Sequence, residues 1–114
     1  MIAIGVNRAK KGWMPVEERL EKLRALYANE PRVGVVADET LTMDLAKEYG
    51  AKYVLRGVRS MADFEYERTI ADANRKIGGL ETIFLISDAD TAHISSSLVR
   101  ELAAFGHDIS DLLP

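Results

Sequence analysis

Residues 52–59, KYVLRGVR, predict an apolar strand at 52–55 that is closed by a segment with two arginines at 56–59. In this segment, Arg56, Gly57 and Arg59 read as the turn that closes the strand. Guanidinium groups bind phosphate oxygens through paired hydrogen bonds, and a glycine lets a ligand approach the backbone closely. A long helix is expected next, at about residues 62–77, so the arginines should lie between a strand and a helix.

The order of strand and helix repeats along the whole chain. Apolar runs without alternation predict strands that are covered on both faces, at residues 2–6, 33–37, 52–55 and 82–86. Helices are expected from Pro15, from Asp38 or Thr40, at 62–77 and from Ser95. The third should bury Tyr66, Ile70, Ala73 and Ile77 on one face. Such alternation predicts an α/β fold, a parallel sheet with helices on both faces, in one domain spanning residues 1–114.

Composition narrows the classes of partner. The net charge is −3, with 15 basic and 18 acidic residues, so no basic field favours a nucleic acid or an acidic membrane. The chain has no cysteine, which excludes disulfides and thiolate metal sites and fits a reducing cytoplasm. No apolar run reaches the length that spans a membrane.

In parallel α/β sheets, ligands bind beyond the carboxyl ends of the strands. Three groups of side chains follow predicted strands, and each has an ordinary alternative. Arg56 and Arg59 suit a phosphate, or bridge to acidic residues of the next helix, Asp63, Glu65 or Glu67. The serines at 95–97 suit a phosphate at a helix start, although one of them is expected to be the helix cap.

Lys10 and Lys11 follow the first strand and could neutralise a phosphate or stay solvated. Glu67 and Tyr66 could contact a ribose or a base, or form an ion pair and a core contact. His93 could touch a ligand or fill a loop. Neither the P-loop pattern nor the dinucleotide fingerprint occurs, and the two histidines lack metal-ligand spacing.

Three blocks of sequence together resemble one known family. They are YVLRGVRSMADFEYE at 53–67, ADANR at 71–75 and ISSSLVRE at 94–101, and the upstream AIGVN at 3–7 fits as well. The chain resembles bacterial phosphopantetheine adenylyltransferases of the nucleotidyltransferase superfamily over essentially all of its length. The resemblance implies a Rossmann-like nucleotidyltransferase fold. It also implies transfer of AMP from ATP to 4′-phosphopantetheine, with Mg²⁺, giving dephospho-CoA and pyrophosphate in coenzyme A biosynthesis. Members are cytoplasmic homohexamers that CoA inhibits.

The resemblance also implies roles for individual residues. Phosphopantetheine would be bound by Lys10, Thr42 and Arg56. ATP would be bound by a set that includes a whole loop: Gly57, Val58, Arg59, Glu67, Thr91, Ala92, His93, Ile94, Ser95, Ser96 and Ser97. The catalytic residues would be Lys10, Arg59 and Ser96, and no residue of the chain is expected to be a dedicated metal ligand.

One departure from the family pattern concerns the amino-terminal unit. The family begins with a strand and helix carrying a GTFDP…GH signature, whose histidine stabilises the transition state, and the sequence here starts after that unit. We therefore expect a first βα unit to be missing from this chain. Two alternatives remain open at this point: a non-catalytic nucleotide-binding remnant or assembly partner, and another adenylyltransferase of the same superfamily.

Overall fold

The computed structural model describes residues 1–6 and 14–113. Its elements follow one another as β1 Ile2–Gly5, α1 Val16–Leu26, β2 Val35–Asp38, α2 Thr42–Glu48, β3 Tyr53–Val58, α3 Met61–Gly78, β4 Glu81–Ile86 and α4 Ser96–Ala104, with a short 3₁₀ helix at Ser110–Leu112. Strands and helices alternate and both strand pairs are parallel, which confirms the predicted α/β class. The chain divides into two compact units, residues 1–45 and 46–114, and the single domain predicted from sequence stays a prediction.

The first unit is built on the pair β1 and β2. Ile2 lies opposite Val35 and Gly5 lies opposite Asp38. Helix α1 packs against β2, and Ile4 and Val35 are the buried side chains of this small core. These two residues come from the apolar runs that predicted the strands, so the hydrophobic pattern accounts for the pairing.

The second unit is built on the pair β3 and β4, joined by α3. Their register runs from Tyr53 opposite Glu81 to Val58 opposite Ile86. Helix α3 packs on both strands, and the ring of Phe64 meets that of Phe84 edge-on with centroids 5.6 Å apart. The helix ends at Gly79, whose φ of 64° lies in the left-handed region that glycine adopts without strain.

Helix α3 buries a different face from the one predicted. Tyr66 and Ile77, expected in the core, are 69% and 75% exposed. The half-buried or buried positions are instead Asp63, Glu67, Ala71 and Asn74. Two kinds of contact hold this face of the helix on the strands: the ion pairs of Asp63 and Glu67 with the arginines at the end of β3, and the edge-on contact of Phe64 with Phe84.

Strand β3 is longer than the sequence indicated. It was expected to end at Leu55, but it continues to Val58, so Arg56 and Gly57 belong to the strand and Arg59 is the first residue beyond it. Pairing continues past this end, since the Ser87 N–H donates to the Val58 carbonyl at 2.9 Å. The face of the β3–β4 pair that does not pack against α3 carries exposed apolar side chains, namely Tyr53, Leu55, Ile83 and Leu85.

Candidate functional site

The carboxyl ends of β3 and β4 lie side by side in the second unit. Val58 pairs with Ile86, α3 begins shortly after β3 at Met61, and α4 begins at Ser96 after the loop that follows β4. Two helix N-termini therefore follow adjacent strand ends, and Arg56 and Arg59 lie in and just after the end of β3, which is the edge where parallel α/β sheets bind ligands.

Arg56 is held by Glu67 through a two-pronged ion pair. Its Nε donates to Oε2 at 2.9 Å and its Nη2 donates to Oε1 at 2.6 Å. The Glu67 side chain is only 13% exposed, whereas that of Arg56 is 50% exposed. The hydrogen bonds from Arg56 to Glu67 raise the pKa of Arg56 above its usual value. Among the described residues nothing accepts a hydrogen bond from Nη1, which leaves this edge of the fork for a ligand.

Arg59 makes three hydrogen bonds, two to Asp63 and one to Ile94. Oδ2 of Asp63 accepts from Nε at 3.1 Å and from the Arg59 backbone N–H at 3.3 Å. Nη1 donates to the carbonyl of Ile94 at 3.2 Å. Arg59 thus connects the turn before α3 with the loop before α4.

Serine caps order both helix starts. Ser60 Oγ accepts from the Asp63 N–H at 3.2 Å, and Ser95 Oγ accepts from the Leu98 N–H at 3.2 Å. Within the described part of the chain, the backbone N–H groups of Ser96 and Ser97 have no acceptor. These orphan donors, at the positive end of the dipole of α4, suit an anion.

The loop between β4 and α4 is folded by short turns. Asp88 Oδ1 accepts from the Asp90 N–H at 3.0 Å, and the Asp88 carbonyl accepts from the Thr91 N–H and hydroxyl at 3.1 and 3.2 Å. The Thr91 carbonyl in turn accepts from the Ile94 N–H at 3.0 Å. Successive turns therefore direct the loop into Ser95 and leave the Ile94 carbonyl free to meet Arg59.

The structure brings most of the residues that the resemblance implied into the second unit. Gly57 and Val58 lie in β3, and the side chain of Val58 is buried, so only its backbone can meet a ligand. Of the loop residues, Thr91 and His93 are exposed while Ala92 and Ile94 are half-buried. The ligand roles assigned to these residues stay predictions.

Two residues to which the resemblance gives a ligand role, Thr42 and Lys10, are not among the described residues of the second unit. Thr42 is the exposed first residue of α2 and belongs to the first unit. Lys10, together with Lys11, lies outside the described residues. Their roles likewise stay predictions.

Sequence reasoning weighed ion pairs for the two arginines, and these are confirmed with Asp63 and Glu67. It gave Asp63 no role in the site, and it missed the Ile94 carbonyl. The signal for Asp63 was its position four residues after Arg59, across the start of α3. Nothing in the sequence pointed to a backbone carbonyl 35 residues away.

Two features of the described residues bear on membrane and metal-dependent functions. No helix in residues 1–6 and 14–113 is long and apolar enough to cross a membrane. In the same ranges, no three histidine, aspartate or glutamate side chains cluster in a way that could hold a metal ion.

Comparison with known proteins gives a consistent result. The model of the family described as "Cytidylyltransferase-like" matches residues 1–102. The phosphopantetheine adenylyltransferase of Phocaeicola vulgatus is 48% identical over 114 residues, which is 100% of this chain and 76% of that protein. The enzymes of that name from Porphyromonas gingivalis and Bacteroides fragilis are 47% and 44% identical, again over 100% of this chain and over 74% and 76% of their own lengths.

Proposed function

The chain belongs to the cytidylyltransferase-like family and, within it, to the phosphopantetheine adenylyltransferases, and we propose that it transfers the adenylyl group of ATP to 4′-phosphopantetheine. The products are dephospho-CoA and pyrophosphate, and the reaction belongs to coenzyme A biosynthesis. One observation of the structure carries the proposal. Two arginines, each held by a carboxylate of α3, lie at the carboxyl end of β3, which pairs with the strand that leads to α4.

The proposed reaction needs two anions to meet. An oxygen of the pantetheine phosphate attacks the α-phosphorus of ATP, a new P–O bond forms, and the bond to the β-phosphate oxygen breaks as pyrophosphate leaves. Little covalent chemistry is required of the protein, so catalysis rests on positioning and on stabilising negative charge. A pair of guanidinium groups and a helix N-terminus are groups suited to that work.

We assign the two arginines to different substrates. Arg56 would take the pantetheine phosphate with the edge of its fork that Glu67 leaves free. Arg59, with the N–H groups of Ser96 and Ser97, would take the phosphates of ATP. Glu67 is assigned to ATP by the resemblance alone, because its carboxylate is occupied by Arg56 in the structure.

The remaining assignments also rest on the resemblance. Lys10 would steady the transferring phosphate and Thr42 would contact the pantetheine arm. Mg²⁺ would enter with ATP as its phosphate complex, since this ion commonly keeps its waters and binds through substrate phosphates. We further propose a cytoplasmic homohexamer that CoA inhibits. The exposed Leu55 and Leu85 are apolar surface of the kind that subunit contacts cover.

The proposal is tested by incubating the purified protein with MgATP and 4′-phosphopantetheine and following pyrophosphate and dephospho-CoA. Both products are expected in equal amounts. Nicotinate mononucleotide serves as the control acceptor, and its preferential use would favour another adenylyltransferase of the superfamily. Binding of ATP without turnover of either acceptor would contradict the proposed activity. Sedimentation of the same sample, with and without CoA, tests the oligomer.

A further inference from the structure

We propose that Asp63 is a positioning residue for the nucleotide. It fixes Arg59 in the orientation that binds the ATP triphosphate, and through Arg59 it joins the turn before α3 to the loop before α4. This inference rests on the proposed function, and it gives a role to a side chain that is not itself expected to touch a substrate.

The first argument is the shape of the contact between Asp63 and Arg59. A single carboxylate oxygen, Oδ2, accepts from both the backbone N–H and the side-chain Nε of the same arginine, at 3.3 and 3.1 Å. The near and far ends of the arginine stem are therefore attached to one point. An arginine normally loses much rotamer freedom when it binds a ligand, and Arg59 has lost much of it beforehand.

The second argument is that Asp63 is itself held firmly. Its backbone N–H donates to the capping hydroxyl of Ser60, which places it in the first turn of the 18-residue helix α3. Its side chain is 35% exposed, so water reaches it only in part. A carboxylate on a capped helix is a better-fixed support for the arginine than one on a loop would be.

The third argument is the position of the guanidinium group of Arg59, which lies beside the start of α4. Nη1 donates to the Ile94 carbonyl, and Ile94 immediately precedes Ser95, the cap of α4. In the described part of the chain, Nη2 of Arg59 has no acceptor. The orientation set by Asp63 therefore places a charged donor beside the helix start whose N–H groups are also without partners, and the two sets of donors form one anion site.

Another pair on the same helix shows what an ordinary surface contact looks like. Arg68 and Asp72 are also four residues apart, but their closest atoms are 3.9 Å apart and both side chains are about two-thirds exposed. Within the described residues, neither side chain has a hydrogen bond or an ion pair to the carboxyl ends of β3 and β4. Asp72→Asn is therefore a matched control for Asp63→Asn, because it removes the same charge from the same helix.

The experiment compares Asp63→Asn, Asp63→Glu and Asp72→Asn with the wild type. ATP affinity is measured by calorimetry without the second substrate, KM for each substrate by turnover, and folding by thermal unfolding. For Asp63→Asn we expect the Kd and KM of ATP to rise about two- to fivefold, the range that an exposed ion pair spans, with KM for phosphopantetheine unchanged. Asp63→Glu should restore part of the affinity, and Asp72→Asn should match the wild type.

A double-mutant cycle separates positioning from a general structural effect. If Asp63 acts through Arg59, adding Asp63→Asn to Arg59→Ala should cause no further loss of ATP affinity. The proposal is overturned by an equal loss in both backgrounds, by an equal loss in Asp72→Asn, by a parallel rise in both KM values, or by unchanged ATP affinity in Asp63→Asn.

Failure of this inference and failure of the proposed function give different results. A wild-type protein that binds ATP but forms no dephospho-CoA contradicts the proposed function, while the calorimetric comparison of Asp63→Asn with Asp72→Asn still decides the role of Asp63. A wild-type protein that does not bind ATP contradicts both.

Discussion

Arg56 forms two hydrogen bonds with the nearly buried carboxylate of Glu67, and these raise the pKa of Arg56 further above its usual value. The pair also aims the guanidinium. A guanidinium group that is held along one edge presents its other edge in a fixed direction. This planar geometry lets arginine bind phosphate oxygens in pairs, whereas the ammonium group of lysine acts as a point charge.

Arg56→Ala should weaken the binding of 4′-phosphopantetheine about 10- to 100-fold, the range for one charge-assisted contact. Calorimetry measures the affinity, and Arg68→Ala is the matched control because, among the residues that the structure describes, Arg68 forms an ion pair with the exposed Asp72 alone. Circular dichroism checks folding, since Glu67 loses its partner. Unchanged affinity would contradict the role assigned to Arg56.

Thr82 carries a buried hydroxyl that has no hydrogen-bond partner among the described residues. Burying an unpaired hydroxyl costs free energy, so Thr82→Val should raise the free energy of unfolding by about 1 kcal/mol. Urea unfolding measures this change. Thr69→Val is the control, because the Thr69 hydroxyl already donates to the Glu65 carbonyl at 3.1 Å. Equal effects in the two variants would refute the prediction.

At the scale of single elements, the ends of α3 and α4 were predictable from the sequence, whereas the buried face of α3 was not. The start of α2 was also predicted wrongly, because it was expected at a cap formed by Asp38 or Thr40 and lies at Thr42, with Asp38 in β2. Ser95 was expected near the start of α4 and is its cap, and the glycines at 78–79 end α3. Caps act within three or four residues, so the sequence contains all of their partners. The buried face of α3 is held by contacts with residues that belong to other elements.

Substitutions of the serines at 95–97 should affect the stability of the protein and its affinity for ATP separately. Ser95→Ala removes the cap of α4 and should lower the free energy of unfolding by about 1 kcal/mol. Ser97→Ala leaves the cap intact and should hardly change stability, while the loss of its hydroxyl, which the resemblance assigns to ATP, should lower ATP affinity although the backbone N–H remains. Thermal unfolding and calorimetry on both variants give the two readings, and the prediction fails if Ser97→Ala destabilises the protein as much as Ser95→Ala.

At the scale of the whole molecule, each compact unit has its own parallel strand pair and its own buried side chains. The first is centred on Ile4 and Val35, and the second on Val58, Leu80 and Val99. Carboxylates in both units hold local turns, so the stability of the whole chain depends on their charge.

Stability should fall in acid because Asp38 and Asp108 are more acidic when folded. Hydrogen bonds from Thr40 lower the pKa of Asp38, and those from the backbone and side chain of Ser110 lower that of Asp108. Their contribution is fully present above the unfolded pKa of about 3.9 and is lost as pH falls through the lower folded values. Urea midpoints between pH 6 and pH 2 measure this loss. The double variant Asp38→Asn, Asp108→Asn should show a shallower fall, and an unchanged slope would contradict the assignment.

Local order and family were predictable from the sequence of this protein. Apolar runs marked the strands, serine and glycine marked helix ends, and the RGVR, DFEYE and ISSS blocks marked the family. The signals for strands and helix ends lie within a few residues of the elements that they determine. Only the tertiary structure decided which carboxylate holds which arginine and which face of α3 is buried. Those contacts join residues such as Arg59 and Ile94 that are far apart in the chain, and they depend on the register of β3 against β4.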